Sequence, residues 1–462
     1  MIEDIYKKIW QLSPTVKRGE SYNALVDLTQ SLIALYDLQG RLSGDPFSPT
    51  RQRKLSLPFE QVNERLRGSV CLITGGLGCV GTALLQELLK FDVKKVVIID
   101  NKVASNIELP ENVVLVSCDV RDAAAVTHAF LEYQPAFVFH TAAQRDPGYA
   151  ESHIFETVST NVIGTLNIVK ACEASGSVIQ CVFSSTGKAS RYFTEEIYAG
   201  SKKMCEFILD AFAKKSSVKY CMVRFTHILD NSLMNQQLMN ECANHDYIAV
   251  HCPGKFVTAQ NVKEAAYLML NTLVYAEDRQ CNFLLVRNLE WPVESLEMAL
   301  YYVKESGRSI PVIFMGNPIG YTEKFFRGQM DWSNPQELNL LINVYEQAYR
   351  RYNQDNDIII SHISPVSEML VIKALQNIAA TNGEEDSKKA LLTGLKEIVR
   401  DSLNKVDKQD TVNILNWGLQ QKFLEIENAK MADYGPIIPM MFESLEDSVH
   451  FRSVDNLLYQ KA

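Results

Sequence analysis

Residues 71–85 read Cys-Leu-Ile-Thr-Gly-Gly-Leu-Gly-Cys-Val-Gly-Thr-Ala-Leu-Leu, a short apolar strand that passes through a glycine-punctuated turn into a helix. Gly75 allows a tight turn, Gly78 lets the backbone approach a pyrophosphate, and Gly81 lets the helix pack close to the sheet. The amides of Cys79 and Val80, at the helix start, then face the phosphate charge. The passage therefore predicts a bound dinucleotide. The following strand, Val96-Val97-Ile98-Ile99, ends in Asp100 and Asn101. Asp100 lies close to the offset of roughly 20 residues at which an acidic side chain meets the adenosine ribose hydroxyls. A carboxylate there repels a 2′-phosphate, so NAD is expected in preference to NADP, although Lys102 nearby softens that contrast.

From Ser69 to about Ala276 strand-like and helix-like segments alternate. Strands are expected at 69–74, 95–100, 112–117, 136–140, 178–184 and 219–224, and helices at 79–91, 121–132, 154–175, 195–215 and 232–245. Such alternation specifies an α/β fold, a Rossmann-like doubly wound parallel sheet with helices on both faces. Two further strand-like runs, Asn282–Val286 and Ile310–Phe314, flank a helix at 293–306 and suggest a small α/β substrate lobe. Residues 1–66 read as a helical N-terminal extension. Leu25, Leu28, Leu32 and Leu35 stripe one helix face, over too short a span for a coiled coil, and a loop rich in Gly, Pro, Ser and Arg follows from Gly40 to Pro58. Residues 331–462 read as an α-helical C-terminal extension. There Asn334-Pro335 and Ser364-Pro365 are expected to open helices, and further helices are expected at 386–406 and 409–428. The expected domains are thus 1–66, 67–330 and 331–462.

The bulk properties narrow the partners. A formal charge of −9 disfavours nucleic acid and anionic membranes as main partners. No apolar run reaches the roughly 18 residues that cross a bilayer, and Met-Ile-Glu-Asp-Ile-Tyr-Lys-Lys lacks a signal-peptide pattern, so a cytoplasmic location is expected. The ten cysteines form no Cys-x-x-Cys pair. Cys71, Cys181 and Cys221 fall inside expected strands and read as small core residues in a reducing compartment. No metal site is expected.

Tyr198 and Lys202 stand four residues apart at the start of an expected helix, so both project from one face. A phenol ordinarily ionises near pH ~10. A neighbouring ammonium and a positive nicotinamide ring would favour phenolate, which could take a hydroxyl proton as the carbinol hydride leaves. Just upstream, Val182-Phe183-Ser184-Ser185-Thr186 ends a strand at the carboxyl edge of the sheet. Thr186, or else Ser185, is placed to hydrogen-bond the reacting oxygen, and Lys188 is placed to point into the same cleft.

These residues bring a resemblance into focus. His140-Thr141-Ala142-Ala143 with Asn161-Val162-Ile163-Gly164-Thr165, then Ser185-Thr186-Gly187-Lys188-Ala189 and Val223-Arg224-Phe225, are similar to the motifs of extended short-chain dehydrogenases/reductases of the polysaccharide-biosynthesis branch. That branch includes nucleotide-sugar 4,6-dehydratases and epimerases. The resemblance spans about 69–330. It implies that Asp119, Val120, Thr141, Ala142, Ala143, Asn161 and Lys202 join the glycine turn in holding the cofactor, while His140 packs beside it. It implies an enzyme that oxidises a secondary alcohol of a nucleotide-linked sugar through a transient ketone, giving epimerisation or dehydration. A homodimer is the expected assembly. The chain departs from the pattern at Gly187, where the dehydratases place Asp; at Arg145-Asp146; at Thr226-His227; at Val257, where an arginine is lost; and over Pro318–Lys324. Fewer arginines weaken a grip on diphosphate. A net NAD-dependent dehydrogenase or reductase acting on another polyol, and an NAD-binding scaffold without turnover, therefore stand as alternatives.

Overall fold

Seven strands lie parallel in one sheet, with helical crossovers described between most of them; six are largely buried and the edge strand Val113–Ser117 is half-buried. They are β1 (Val70–Thr74), β2 (Lys95–Asp100), β3 (Val113–Ser117), β4 (Phe137–His140), β5 (Gln180–Thr186), β6 (Lys219–Phe225) and β7 (Asn282–Val286). Two more strands, β8 (Arg351–Tyr352) and β9 (Ile358–His362), complete the sheet in the order β8-β9-β7-β6-β5-β4-β1-β2-β3. β9 runs antiparallel to β7, and β8 antiparallel to β9. The strand order reverses beside β1, where Thr74 pairs with His140 of β4 on one side and with Ile99 of β2 on the other. A crevice for a dinucleotide belongs at that reversal, outside the carboxyl ends of the strands.

This computed structural model describes residues 2–18, 21–102, 109–231, 233–321, 323–426, 428–446, 448–449 and 454. The described residues form two compact units, one from within 1–54, 226–264 and 288–318, the other from within 55–225, 265–287 and 319–462. In the first unit the N-terminal helices Ile2–Leu12 and Tyr22–Leu38 share a core with the helices Leu233–Asn244 and Ser295–Ser306. Ile9, Leu25, Leu32 and Tyr36 pack with Leu238, Ile248, Leu296, Leu300 and Val312. The leucine stripe thus buries Leu25 and Leu32 inside its own unit, as a packed helix does. Val312–Phe314 pairs in parallel with Ile248–Val250.

The second unit holds the nine-stranded sheet, and several local expectations change there. The expected helix 154–175 is broken into Ile154–Val158, a π-turn over Ser159–Ile163, and Gly164–Ser175. Asn334-Pro335 opens only a three-residue 3-10 turn, and the helix expected at Ser364-Pro365 starts later, at Glu368, after Ser367. The C-terminal segment is helical over Glu368–Ala379, Glu384–Lys405 and Lys408–Gly418, but it also lends β8 and β9 to the sheet. Ile358-Ile359-Ile360 explains β9, since three successive β-branched side chains favour a strand buried on both faces. Among the described residues no helix is long and apolar enough to cross a membrane.

One buried charge network ties the C-terminal segment to the sheet. Arg224 in β6 has no exposed surface and donates to both Glu206 oxygens at 2.9 and 2.7 Å and to both Glu346 oxygens at 2.7 Å. It also donates to the Leu341 carbonyl at 2.9 Å and stacks on the Phe283 ring. Asn343 and Glu346 form a reciprocal capping box that fixes the turn presenting Glu346. Replacing Glu346 with Ala leaves Arg224 half-paired in the interior. We expect a loss of about 3 kcal/mol of unfolding free energy in urea titrations; unchanged stability would remove this network from the account of the fold.

Candidate active site

Gly75 adopts φ +66°, and a Cβ there would lie 2.7 Å from the backbone of Ala142, so the loop after β4 leans directly on the turn. A Cβ on Gly81 would meet the Gly75 carbonyl at 2.5 Å, so the helix Cys79–Leu88 can begin only if this position is bare. The turn, Cys79 and Val80 are partly open to solvent at the carboxyl end of β1. Asp100 closes one side, with Oδ2 accepting from Leu77 N at 3.1 Å and Oδ1 from Lys102 N at 3.0 Å. Asp119, after β3, pairs with Arg121 at 2.6 Å, and that guanidinium holds its carboxyl below the ordinary range, with a smaller pull from Asn101. Val120 is buried against Gly164, where an added Cβ would come within 2.8 Å of it. It packs rather than presenting a polar group.

The loop after β4 is held from two sides. Thr141 Oγ1 donates to the Thr74 carbonyl at 2.7 Å, and Ala142 N donates to Thr74 Oγ1 at 3.2 Å. Ala143 is half-buried next to them. Asn161, on the π-turn, accepts from Gln144 N at 2.8 Å and donates to the Gln144 carbonyl at 3.0 Å and to Ser201 Oγ at 2.9 Å. Asn161 thus anchors the loop to the helix Ile197–Ala213. A π-turn is a frequent way to aim one side chain at a functional region. His140 is fully buried between Thr74 and Thr165, and burial brings its imidazole down to about 3, with Lys202 adding to the effect. A neutral packing residue follows from that.

Thr186 ends β5 and lies near Tyr198, the second residue of the helix Ile197–Ala213. Burial pushes the Tyr198 phenol above its ordinary value, while Thr186 and the Arg145 charge pull the other way. Lys202, one turn further on, donates to the Ser184 carbonyl at 2.7 Å over the Phe183 ring, and burial brings its ammonium down to about 8. Burial is the largest influence on both groups, and Lys202 is aimed at β5.

Lys188 was expected near the same cleft, and the structure places it half-buried rather than solvated. Its Nζ donates to Glu196 Oε2 at 2.6 Å and lies 4.9 Å from the centre of the Tyr321 ring. Arg191 bridges Glu196 at 3.1 Å and Glu323 at 2.9 Å, and Thr194 donates to Glu323 at 2.6 Å. Tyr321 is pushed up to about 12 by burial, with Asp146, Glu196 and Tyr198 adding to the shift. Glu196, Tyr321 and Glu323 were not singled out in the sequence. Glu196 was findable, being two residues before Tyr198; Tyr321 and Glu323 lie in a segment whose family pattern is lost, and Thr322 between them is outside the described residues. Asp146 caps the short helix Pro147–Ser152 through Gly148 N and Tyr149 N. At Gly187 an added Cβ would overlap Leu341 Cδ2, so the space of a side chain is taken by the C-terminal segment. Ser185 donates to Glu206 at 2.6 Å and belongs to the buried charge network rather than to the open edge.

The lysine burial has a readable pH signature. Lys202 and Lys203 both stand at about 8 against an ordinary 10.5, so between those values the unfolded chain binds more protons than the folded one. Stability contributed by these groups therefore rises with pH through that window. Urea unfolding at pH 8, 9 and 10 should show the rise, and Lys202→Met should reduce it; an unchanged slope would contradict the buried-ammonium geometry.

Residues 71–239 match the family model described as "Polysaccharide biosynthesis protein". A probable polysaccharide biosynthesis protein, EpsC, of Bacillus subtilis is 23% identical over 57% of this chain and 46% of its own length. A UDP-glucose 4-epimerase of Mycoplasma genitalium is 28% identical over 34% of this chain and 52% of its own length. The chain thus spans about half the length of these curated relatives. Among solved structures, Pen from Bacillus thuringiensis shares the fold with a TM-score of 0.55 at 19% identity, covering 65% of this chain and 88% of that one. Over residues 71–239 the chain is thus similar to the extended short-chain dehydrogenases/reductases of the polysaccharide-biosynthesis branch, and the sheet built there has their Rossmann-like order.

Proposed function

We propose that this protein is an NAD-dependent enzyme that oxidises a secondary alcohol of a nucleotide-linked sugar and works through a transient ketone. The observation that carries the reading is the placement of Tyr198 near Thr186, which ends β5 at its carboxyl edge, with Lys202 one helical turn away and donating to the Ser184 carbonyl of β5. Support for a cofactor comes from the turn at Gly75–Gly81, which fits a pyrophosphate because neither Gly75 nor Gly81 has room for a side chain. A bound nicotinamide would supply the hydride acceptor and a positive charge near the phenol. Gly75, Gly78, Cys79, Val80 and Gly81 would hold the pyrophosphate. Asp100 and Asn101 would take the ribose hydroxyls, and Asp119 would stand near the adenine. Tyr198, as phenolate, takes the hydroxyl proton; Thr186 orients the reacting oxygen; Lys202 supplies positive charge; Lys188 takes or returns the proton on the adjacent carbon, which the ketone acidifies.

Of the two outcomes through a ketone, epimerisation is favoured over dehydration, because Leu341 fills the space beside Gly187 where the dehydratases carry a carboxylate. A second reading, net oxidation with release of NADH, is favoured by Val257 and by the segment 318–324, neither of which supplies an arginine for a diphosphate. A homodimer would use faces other than the helix Ile197–Ala213, since fifteen of its seventeen residues are already buried within one chain. We place the protein in the cytoplasm.

The protein loaded with NAD and mixed with UDP-glucose or UDP-N-acetylglucosamine should show the reduced-nicotinamide absorbance band. Tyr198→Phe should slow its appearance by roughly 10²-fold or more, and an unimpaired rate would end the proposed role of that phenol. Turnover without free NADH fits epimerisation, and stoichiometric NADH fits the second reading. Calorimetric titration should give tighter binding of NAD than of NADP, because the Asp100 carboxylate meets a 2′-phosphate; equal affinities would refute that assignment.

A further inference from the structure

The side chains around Tyr198 fall into two rows. Thr186 and Lys188 leave the end of β5 two residues apart, and Glu196 and Tyr198 enter the next helix two residues apart. Thr186 lies near Tyr198, and Lys188 donates to Glu196 at 2.6 Å. We propose that Glu196 is a positioning residue that sets the protonation of Lys188, making the Lys188–Glu196 pair the site of proton transfer at carbon while Thr186 and Tyr198 serve the oxygen. This rests on the reading that a sugar alcohol is oxidised at Tyr198.

The geometry gives Glu196 this position. Its carboxyl is 6% exposed on the side chain and sits at the first turn of a helix that is buried nearly throughout, so it cannot swing away. Helix N-termini also favour a carboxylate. Lys188 Nζ approaches it at 2.6 Å, beneath the Tyr321 ring. The charged groups that face Lys188 are Glu196, Arg191 and Glu323, and Tyr321 is the titratable ring above it. Burial works to strip the Lys188 proton, Arg191 works the same way, and the two carboxylates oppose them, Glu196 most strongly. Glu196 is therefore the main charge that holds the proton on Lys188 against burial.

The chemistry closes without a further reactant. Once the neighbouring carbinol is a ketone, the Lys188 amine takes the proton from the adjacent carbon and becomes an ammonium held by Glu196. The C–H electron pair passes into the enolate, whose oxygen lies by Thr186 and Tyr198. Return of the proton to that carbon, on either face, regenerates the amine and the ketone.

The test is competitive acetylation of the full-length NAD-loaded protein with acetic anhydride across a pH series, with the Lys188 peptide quantified by mass spectrometry. In Glu196→Gln the pH at which Lys188 becomes reactive should fall by about one pH unit or more, because a close opposite charge is removed. Glu196→Asp, which keeps the charge, should restore most of the difference and gives a second, milder variant should the first fold poorly. A Lys188 profile that both variants leave in place overturns the proposal. In D₂O with UDP-glucose, deuterium should enter the carbon next to the oxidised one, and Glu196→Gln should slow that entry by about tenfold or more, beyond any slowing of nicotinamide reduction. Reduction of nicotinamide with no deuterium entry overturns the proposal while leaving the proposed function standing. Failure of nicotinamide reduction with either nucleotide sugar counts instead against that function, and the acetylation profile still decides the role of Glu196.

Discussion

Arg224 is a guanidinium without exposed surface, and such a charge persists in an interior only when every donor finds an acceptor. Here Glu206 and Glu346 each meet it with two oxygens, and the Leu341 carbonyl takes one of its remaining hydrogens. Bidentate contacts of this kind fix direction as well as distance. Glu206 belongs to the helix that carries Tyr198 and Lys202, Arg224 to the strand beside β5, and Glu346 to a turn more than a hundred residues later in the chain. Three distant stretches are therefore locked in one register around the carboxyl end of β5. Lys203 extends the arrangement by donating to the carbonyls of Ala189 and Arg191, so the loop between β5 and the helix is held at both ends.

That register is what gives the open edge its chemistry. Ser185 is turned inward to Glu206, so its neighbour Thr186 faces the cleft and meets Tyr198. Alternation along a strand makes the two hydroxyls face opposite ways, and the buried carboxylate selects which one is spent on structure. The same helix begins with Glu196, so acid, phenol and ammonium are spaced along a single rigid element and cannot drift relative to one another. Preorganisation of this kind favours groups that must act in sequence on neighbouring atoms of one substrate.

Local patterns in the sequence carried the parallel strands, the glycine turn, Asp100 and the Tyr198–Lys202 pair, because each depends on residues within one strand–turn–helix span. The strand β9 escaped because Ile358-Ile359-Ile360 is too short to show a period and lies among helices. The π-turn at Ser159–Ile163 escaped because one extra residue in a helix leaves the apolar stripe almost unchanged. Glu346 carried no signal at all. Its partner is 122 residues away, and only the folded sheet brings the two together. Lys188 was legible as a residue near the cleft, yet its surroundings were not, since Glu323 and Tyr321 arrive from a segment whose family pattern had worn away.

The segment 318–324 and the leucine beside position 187 belong to the same stretch of chain. The segment after residue 319 runs back over the carboxyl edge: Gly320 presses on Pro147, where a Cβ would meet its carbonyl at 2.6 Å, and Leu341 occupies the volume beside Gly187. Ser190 and Gln329 both reach the Leu340 carbonyl, and Asn343 donates to the Ser190 carbonyl, so this segment is stitched down on both sides of Leu341. A carboxylate at 187 would have to displace a leucine from that position and would be desolvated without a partner.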